Sequence, residues 1–326
     1  MWPSPSRCAG LLLCLAACGL AAPAWADAPA GAATRIEAAC AGGKGFDIGA
    51  ARVVTVFDGG DYAAGTPALC AWMARAALAV SGYYGHFPVP RLRLVLKPVS
   101  GAGVRGGTTY GSSDDGQPLI VIPLGREVSP AQLADDWTLT HEMVHLSIPS
   151  VPRRSHWLEE GIATYVEPIA RAQRGELGEA RVWADMLHGM GKGLPAEGDA
   201  GLDRTPTWGR TYWGGALFCL IADVQIRAAT GNRKGLQDAL RGVLAAGGSI
   251  RSDWPVQQVF AVGDRATGTA VLEQLYRRMG DQPGPDAAEL AALWRALGVQ
   301  ADDGGVRFDE RAPLAASRRA ITAPPS

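Results

Sequence analysis

The first part of the chain carries short runs of apolar residues with the spacing of strands. Residues 52–57 are rich in β-branched side chains, and residues 91–97 alternate apolar and polar positions, so both predict strands, the second half-buried. Residues 66–84 lie between them and form an apolar stretch of helical length. Residues 104–110 and 119–123 predict two further strands, separated by a turn-rich stretch. The pattern therefore predicts a small sheet in this part of the chain.

The remaining sequence has the spacing of helices, so the predicted fold class is α+β, a small mixed sheet followed by a mainly helical part. Residues 130–148 predict a long helix, which Pro149 and Pro152 would end because proline cannot continue a helix. A second helix is expected after Ser155, a residue type favoured at helix N-caps. Residues 188–210 hold six Gly and two Pro and predict a loop. Further helices are predicted at residues 176–187, 212–229, 234–245, 256–262, 267–279 and 286–297.

The first 26 residues have the pattern of a signal peptide. Arg7 supplies a positive charge, an apolar run follows, and Ala24-Trp25-Ala26 is a typical cleavage site. The apolar run is too short for a comfortable membrane span. A competing interpretation is a bacterial lipobox ending at Cys18, which would then carry a lipid anchor. Both interpretations predict an exported protein, either periplasmic or secreted or held at the membrane as a lipoprotein.

Charge and cysteine content narrow the function classes further. The net charge is −1 and no basic patch is present, so nucleic acid is not an expected partner. No later apolar run is long enough to cross a membrane. Cleavage after Ala26 would leave three cysteines, and an oxidising compartment permits a disulfide between Cys40 and Cys70. Cys219 lies in an apolar run and is expected to be a buried free thiol.

Two of the five histidines stand four residues apart around a glutamate, in the stretch His141-Glu142-Met143-Val144-His145. Residues i and i+4 lie on one face of a helix, so both imidazoles can point at a single metal ion. Glu142 can lean over the same site and act on a metal-bound water, which is the arrangement of zinc metalloproteases. The plainer interpretation is a helix with two structural histidines.

The stretch that follows this helix offers a third ligand. A catalytic zinc usually has three protein ligands, and the metzincin pattern is excluded because Ile148 and Val151 stand where Gly and His would be needed. Residues 157–167 have the sequence WLEEGIATYVE. Together with HEMVH, this sequence resembles the gluzincin peptidases, above all their aminopeptidase-like branch. The resemblance implies a thermolysin-like catalytic domain in which Glu160, the glutamate before glycine, is the third zinc ligand.

The resemblance extends to Tyr212, which stands two residues before a G-G-A-L segment. In the gluzincins a tyrosine at this place donates a hydrogen bond to the oxyanion of the tetrahedral intermediate; the alternative is an aromatic residue packed at a helix start. The implied function is a zinc-dependent peptidase with one Zn²⁺ per chain and a peptide or protein substrate. Glu142 would be the general base that takes the proton of a zinc-activated water.

Three further residues are candidates around this site. Thr164 lies one turn after the third ligand and could support a zinc-bound histidine. His156 is a rival ligand or a substrate contact, and Tyr110 belongs to the strand expected to pair with the substrate backbone. Residues 105–110 also stand where aminopeptidases carry the segment that grips the substrate amine, yet they include no carboxylate. An endopeptidase is therefore favoured over an aminopeptidase.

These predictions divide the chain into consecutive parts. Residues 1–26 are the signal peptide, residues 27–50 a loose segment, and residues 51–230 the catalytic domain, followed by a C-terminal helical part at residues 231–298 and a disordered tail at residues 299–326. Two alternatives from other function classes remain. One is a non-catalytic envelope protein that binds peptides or partners on a peptidase fold, and the other is a structural protein stabilised by zinc.

Overall fold

The computed structural model describes residues 31–43 and 45–324. The predicted signal peptide, the alternative lipobox and Cys18 lie outside the described residues. Within the described residues, no helix combines the length and the apolar composition that crossing a membrane would require.

A five-stranded mixed sheet forms the first part of the fold. Its strands are β1 (Phe46–Ile48), β2 (Ala51–Phe57), β3 (Arg91–Val99), β4 (Thr108–Tyr110) and β5 (Leu119–Gly125). The spatial order is β1-β2-β3-β5-β4, with β2, β3 and β5 parallel and the two edge strands antiparallel to their neighbours. Alternate residues of the parallel strands, such as Val53, Leu92 and Ile120, are completely buried, which explains the alternating apolar pattern.

Helices make up the rest of the fold. The first are α1 (Ala32–Ala41), α2 (Gly65–Tyr84), α3 (Pro130–Asp135), α4 (Thr138–His145) and α5 (His156–Gln173). They are followed by α6 (Glu179–Gly189), α7 (Gly215–Thr230), α8 (Leu236–Ala245), α9 (Val256–Thr267), α10 (Val271–Met279) and α11 (Ala287–Leu297). The predicted α+β class, a small sheet followed by a mainly helical part, is confirmed. One cluster of buried apolar residues extends from Ile36 to Ile321 and so joins the sheet to the helices.

The helix predicted at residues 130–148 is two helices, α3 and α4. The backbone of Asp136 is extended between them, and its side chain accepts hydrogen bonds from the Leu139 amide (3.1 Å) and from Trp72 Nε1 (2.9 Å). An aspartate side chain that accepts a hydrogen bond from a nearby backbone amide competes with helix continuation. The strand predicted at residues 104–110 is likewise shorter, because it is regular only over β4 and has an isolated bridge at Val104.

The segment predicted to be loose, residues 27–50, contains α1 and β1 in its described part. Ile36 and Cys40 are buried on α1, and a disulfide joins Cys40 to Cys70 on α2. The Ala/Gly-rich composition did not indicate this helix, which packs on α2 and is joined to it by the disulfide.

The tail predicted to be disordered is folded as far as residue 324. It forms a hairpin of β6 (Val299–Asp302) and β7 (Gly305–Phe308), followed by α12 (Ala315–Thr322). Arg318 is completely buried, pairs with Glu179 and Glu310, and lies over the Phe308 ring. A buried arginine needs partners of this kind, which a polar sequence does not disclose.

Candidate metal centre

Three side chains from α4 and α5 meet in the structure. His141 and His145 lie one turn apart on α4 with their ring centroids separated by 5.0 Å, and Glu160 reaches them from α5. His141 and Glu160 are buried, and the side chain of His145 is nearly so. These are three of the residues that the sequence singled out, and the fold brings them together.

The spacing of their ligand atoms suits one metal ion. Glu160 Oε2 lies 3.2 Å from His141 Nε2 and 3.6 Å from His145 Nε2. One possible ligand atom from each of the three residues lies within 4.8 Å of the other two. Ligands at ordinary bond lengths from a tetrahedral zinc ion lie about 3.3 Å apart. Two imidazoles and a carboxylate are also a known ligand set for a catalytic zinc. The residues present therefore fit a single metal ion with a free coordination position.

Close contact between two helices sets the position of Glu160. Gly161 on α5 faces Gly215 at the start of α7, and a Cβ built on Gly161 would lie 2.3 Å from the Gly215 carbonyl carbon. A Cβ built on Gly215 would meet the carbonyl oxygen of Trp157 at 2.2 Å. Only glycine permits this approach, and the residue immediately before Gly161 is the candidate ligand.

Burial and charge act in opposite directions on these groups. Burial lowers the pKa of His141, and hydrogen bonding to Glu160 does not fully offset it. For His145 burial also lowers the pKa, but the Glu160 carboxylate outweighs it and the net pKa is raised. Burial raises the pKa of Glu160, yet its contacts with three imidazoles hold the net pKa well below the usual range. Glu160 is therefore an anion in the folded protein, as a metal ligand must be.

His156 contacts the outer oxygen of the same carboxylate. Its Nε2 lies 3.3 Å from Glu160 Oε1, and its Nδ1 lies 2.6 Å from Glu159 Oε2. Hydrogen bonds with these two glutamates raise the pKa of His156 to about 10. His156 thus contacts the far side of the Glu160 carboxylate and lies outside the group of three candidate ligands.

Glu142 lies beside the ligand group and is held by the edge strand β4. The Thr109 hydroxyl is 2.6 Å from Glu142 Oε2 and 2.9 Å from the Glu142 carbonyl oxygen, and can donate to either. Gly107 packs against the same side chain, because a Cβ there would lie 2.4 Å from Glu142 Cγ. The sequence did not indicate Thr109 or Gly107. Only the folded strand brings them to Glu142.

Tyr212 lies on a single π-helical turn, Arg210–Gly214, just before α7. The turn is anchored by Arg210, which pairs with Asp199 at 2.9 Å and donates to the Gly193 and Pro283 carbonyl oxygens at 2.6 and 2.9 Å. The Tyr212 ring stacks on His141 with centroids 6.4 Å apart. Burial, together with the charges of Glu160 and Glu142, raises the pKa of Tyr212, so its hydroxyl keeps its proton.

Two other predicted residues take weaker positions. Thr164 is half-buried on α5, and across the described residues no hydrogen bond joins it to His141 or His145. Tyr110 is 48% exposed at the end of β4 and lines the cleft.

A cleft of about 1080 Å³ opens over the candidate ligands. Its floor is the α4 face with Glu142, and one wall is the glycine-rich segment of residues 103–111, which includes β4. The outer edge of β4 pairs with no strand among those described, since β5 occupies its other side. An extended peptide is the ligand shape that fits an open strand edge beside a cleft.

Comparison with known proteins gives a fold but no sequence relative. No family model and no curated protein matches the sequence. Among solved structures, an aminopeptidase N family protein from Idiomarina loihiensis is similar at 14% identity and a TM-score of 0.52, over 78% of this chain and 49% of that one. An M1 zinc metallopeptidase from Deinococcus radiodurans gives 17% identity and a TM-score of 0.49, over 72% and 49%. The chain thus has the fold of this aminopeptidase N family protein. It spans about half the length of the structures it matches.

Proposed function

We propose that the protein is a zinc-dependent peptidase, with His141, His145 and Glu160 as the ligands of one zinc ion. The main support for the proposal is that two neighbouring carboxylates have different partners. Glu160 lies among the imidazoles, whereas Glu142 lies beside them and is bound by the Thr109 hydroxyl. These positions support Glu160 as a metal ligand and Glu142 as the general base. The solved structures that the chain resembles are named as zinc metallopeptidases or aminopeptidases, which agrees with this proposal.

The side chains divide the reaction between them. When bound, zinc would polarise the scissile carbonyl and lower the pKa of a water molecule. Glu142 takes a proton at its carboxylate from the attacking water and delivers it to the leaving amine, a step worth roughly 10²–10⁴ in rate. Tyr212 keeps its proton and donates a hydrogen bond to the developing oxyanion. His156 holds the outer oxygen of Glu160, and Thr109 holds Glu142 in the cleft.

An endopeptidase agrees best with the β4 wall of the cleft. The residues that face Glu142 from this wall are Gly107 and Thr109, and neither can form an ion pair with a substrate amine. Export agrees with the disulfide between Cys40 and Cys70, since disulfides persist in oxidising compartments. Because the β4 wall offers no ion-pair partner to a substrate amine, a peptide with a blocked amino terminus should be cleaved at the same rate as a peptide with a free one.

A cleavage profile on a proteome-derived peptide library tests the function directly. Glu142→Gln should keep about one zinc per chain and lose hydrolysis by roughly 10²-fold or more. Glu127→Gln, at an exposed carboxylate away from the cleft, is the matched control and should cleave like the wild type. A wild type that holds zinc and cleaves no peptide would favour the non-catalytic binding protein. A zinc ion with no exchangeable coordination position would favour the structural role.

A further inference from the structure

Exposed aromatic side chains gather at one place on the molecule. The described residues have four exposed large apolar side chains, namely Val54, Tyr110, Trp137 and Trp208. Val54 lies on β2, whereas Tyr110 and Trp137 line the cleft and Trp208 stacks on Tyr212 beside it. Three of the four are therefore aromatic, and two of these line the cleft while the third lies beside it.

Trp137 and Trp208 differ from the other described tryptophans in their exposure to solvent. Ten tryptophans occur in the chain, and Trp2 and Trp25 lie outside the described residues, which leaves eight. Trp137 is 54% exposed and Trp208 63% exposed, while the other six are buried or half-buried. An indole ring offers a large apolar area, so leaving it in water is unfavourable unless a ligand covers it.

Ring contacts link both tryptophans to the centre. Trp137 meets the His141 ring at 5.5 Å with an interplanar angle of 84°. Trp208 stacks on Tyr212 at 5.8 Å, and Tyr212 in turn stacks on His141 at 6.4 Å. His141 is thus the shared neighbour of two aromatic arms, one formed by Trp137 and one by Tyr212 with Trp208.

Both tryptophans come from interruptions of regular helix. Trp137 follows Asp136 at the break between α3 and α4, and Trp208 stands just before the π-helical turn that Arg210 anchors. A continuous helix at residues 130–148 would have given Trp137 a different environment. Trp137 therefore lines the cleft, and Trp208 lies beside it against Tyr212, so neither ring is packed in the core.

The charges of the cleft disfavour acidic groups. Its lining includes five carboxylate residues, a single Lys or Arg side chain, Arg105, and His156, whose two ring nitrogens already face Glu159 and Glu160. The carboxylates are Asp135, Asp136, Glu142, Glu159 and Glu160. An acidic substrate side chain would be repelled there, whereas an apolar side chain would cover the exposed rings.

From these contacts we infer that Trp137 and Trp208 form subsites for large apolar or aromatic side chains on the substrate residues that flank the scissile bond. The inference rests on the proposed function, because it names the substrate class of the same centre. Peptides with Phe, Tyr, Trp or Leu beside the bond are the preferred class, and peptides with Asp or Glu there are the poorest.

Binding to the zinc-loaded full chain carrying Glu142→Gln tests the inference without turnover. The probes are two capped pentapeptide pools that are randomised except at the centre, which is Phe in one pool and Ala in the other. Calorimetry should show about 10-fold tighter binding of the Phe pool, the scale expected for aromatic contacts. Trp137→Ala or Trp208→Ala should reduce this ratio to about 2-fold or less in at least one variant. Trp→Phe at the same position should restore most of the ratio.

Val54→Ala is the matched control, since it removes an exposed apolar side chain far from the ring contacts and should leave the ratio unchanged. Unchanged melting temperatures would show that the tryptophan variants fold. Equal binding of the two pools, no binding of either, or an unchanged ratio in both tryptophan variants would overturn the inference. Failure of the proposed function looks different, because the wild type would then bind the Phe pool selectively and cleave nothing.

Discussion

Glu160 and Asp203 are two acidic side chains near the start of α5, both largely buried, and their partners differ in kind. Glu160 lies between imidazoles, with His141, His145 and His156 at 3.2, 3.6 and 3.3 Å. Asp203 accepts hydrogen bonds from Tyr276 OH at 2.6 Å, Trp157 Nε1 at 2.7 Å and Ser155 Oγ at 3.0 Å. An imidazole can give up its proton and offer a lone pair, whereas an indole N–H can only donate.

This difference in partners distinguishes the candidate metal ligand Glu160 from Asp203, which has a structural role. The Asp203 carboxylate is satisfied by the protein alone, and it ties the start of α5 to α10 through Trp157 and Tyr276. Beside Glu160, by contrast, the ring nitrogens of His141 and His145 can bind a cation. A buried carboxylate is therefore no sign of a metal site until its partners are known. Changes at the two carboxylates should consequently appear in different measurements, metal content in one case and folding stability in the other.

The largest expected effect is at Glu160. Glu160→Gln removes the anionic ligand, so zinc affinity should fall by more than about 100-fold, beyond the loss typical of outer-shell changes, and hydrolysis should fall with it. Elemental analysis after dialysis against buffered free zinc measures the loss. A chelator should lower the melting temperature of the wild type and leave that of Glu160→Gln unchanged. Stoichiometric zinc in this variant would remove the distinction between the two carboxylates.

The next effect is at Asp203. Asp203→Ala leaves three donors without their shared acceptor, and the free energy of unfolding should drop by about 3 kcal/mol or more. Denaturant unfolding of the metal-free protein measures this change, and zinc content of the folded variant should stay at one per chain. Asp281→Ala is the control, because that aspartate pairs with the exposed Arg204 on the surface, and its loss should change the free energy of unfolding far less than Asp203→Ala does. A stable Asp203 variant that binds no zinc would contradict the structural role given to Asp203.

Tyr276→Phe removes one of these donors and should have a smaller effect. The side chain is only partly buried, so we expect a loss of about 1.5 kcal/mol, the lower range for a hydrogen bond to a charged acceptor. Burial and the Asp203 charge both raise the pKa of Tyr276, so the hydroxyl is a donor at neutral pH. The same unfolding experiment measures the loss, and an unchanged free energy of unfolding would show that Trp157 and Ser155 satisfy Asp203 alone.

Glu142 is a third carboxylate, and it has one hydroxyl partner. Thr109→Val keeps the side-chain shape but removes the donor 2.6 Å from Oε2, so kcat/KM should fall about 10-fold with zinc content intact. Thr109→Ser should recover most of the activity because it restores the hydroxyl. Steady-state kinetics on one peptide compares the three proteins. Equal rates for Val and Thr would mean that Gly107 packing alone holds the base.

The sequence predicted the strands and helices that depend on periodic apolar residues. Residues 52–57, 91–97 and 119–123 fall within β2, β3 and β5, because their inward side chains alternate regularly. The pairing of His141 and His145 was also predictable, since helix geometry brings i and i+4 together. Glu160 was identified through the resemblance of residues 157–167 to the gluzincin peptidases, and the fold brings it to the two histidines.

Features that depend on distant partners were missed. The Asp136 carboxylate accepts a hydrogen bond from Trp72 on α2 besides its local contact with the Leu139 amide, and the buried Arg318 pairs with Glu179 on α6. Thr109 reaches Glu142 only after the sheet has formed. Each of these residues has a partner more than 30 residues away, which a local pattern does not show.

The contact between Gly161 and Gly215 has a consequence for judging related sequences. A methyl group at either position would push α5 from the start of α7 and carry Glu160 away from the histidines, although every ligand would remain in the sequence. A related sequence that keeps the counterparts of His141, His145 and Glu160, but has alanine or serine where Gly161 or Gly215 stands, is expected to bind metal poorly. The two glycines are thus a criterion for deciding which related sequences keep the geometry that a metal ion needs.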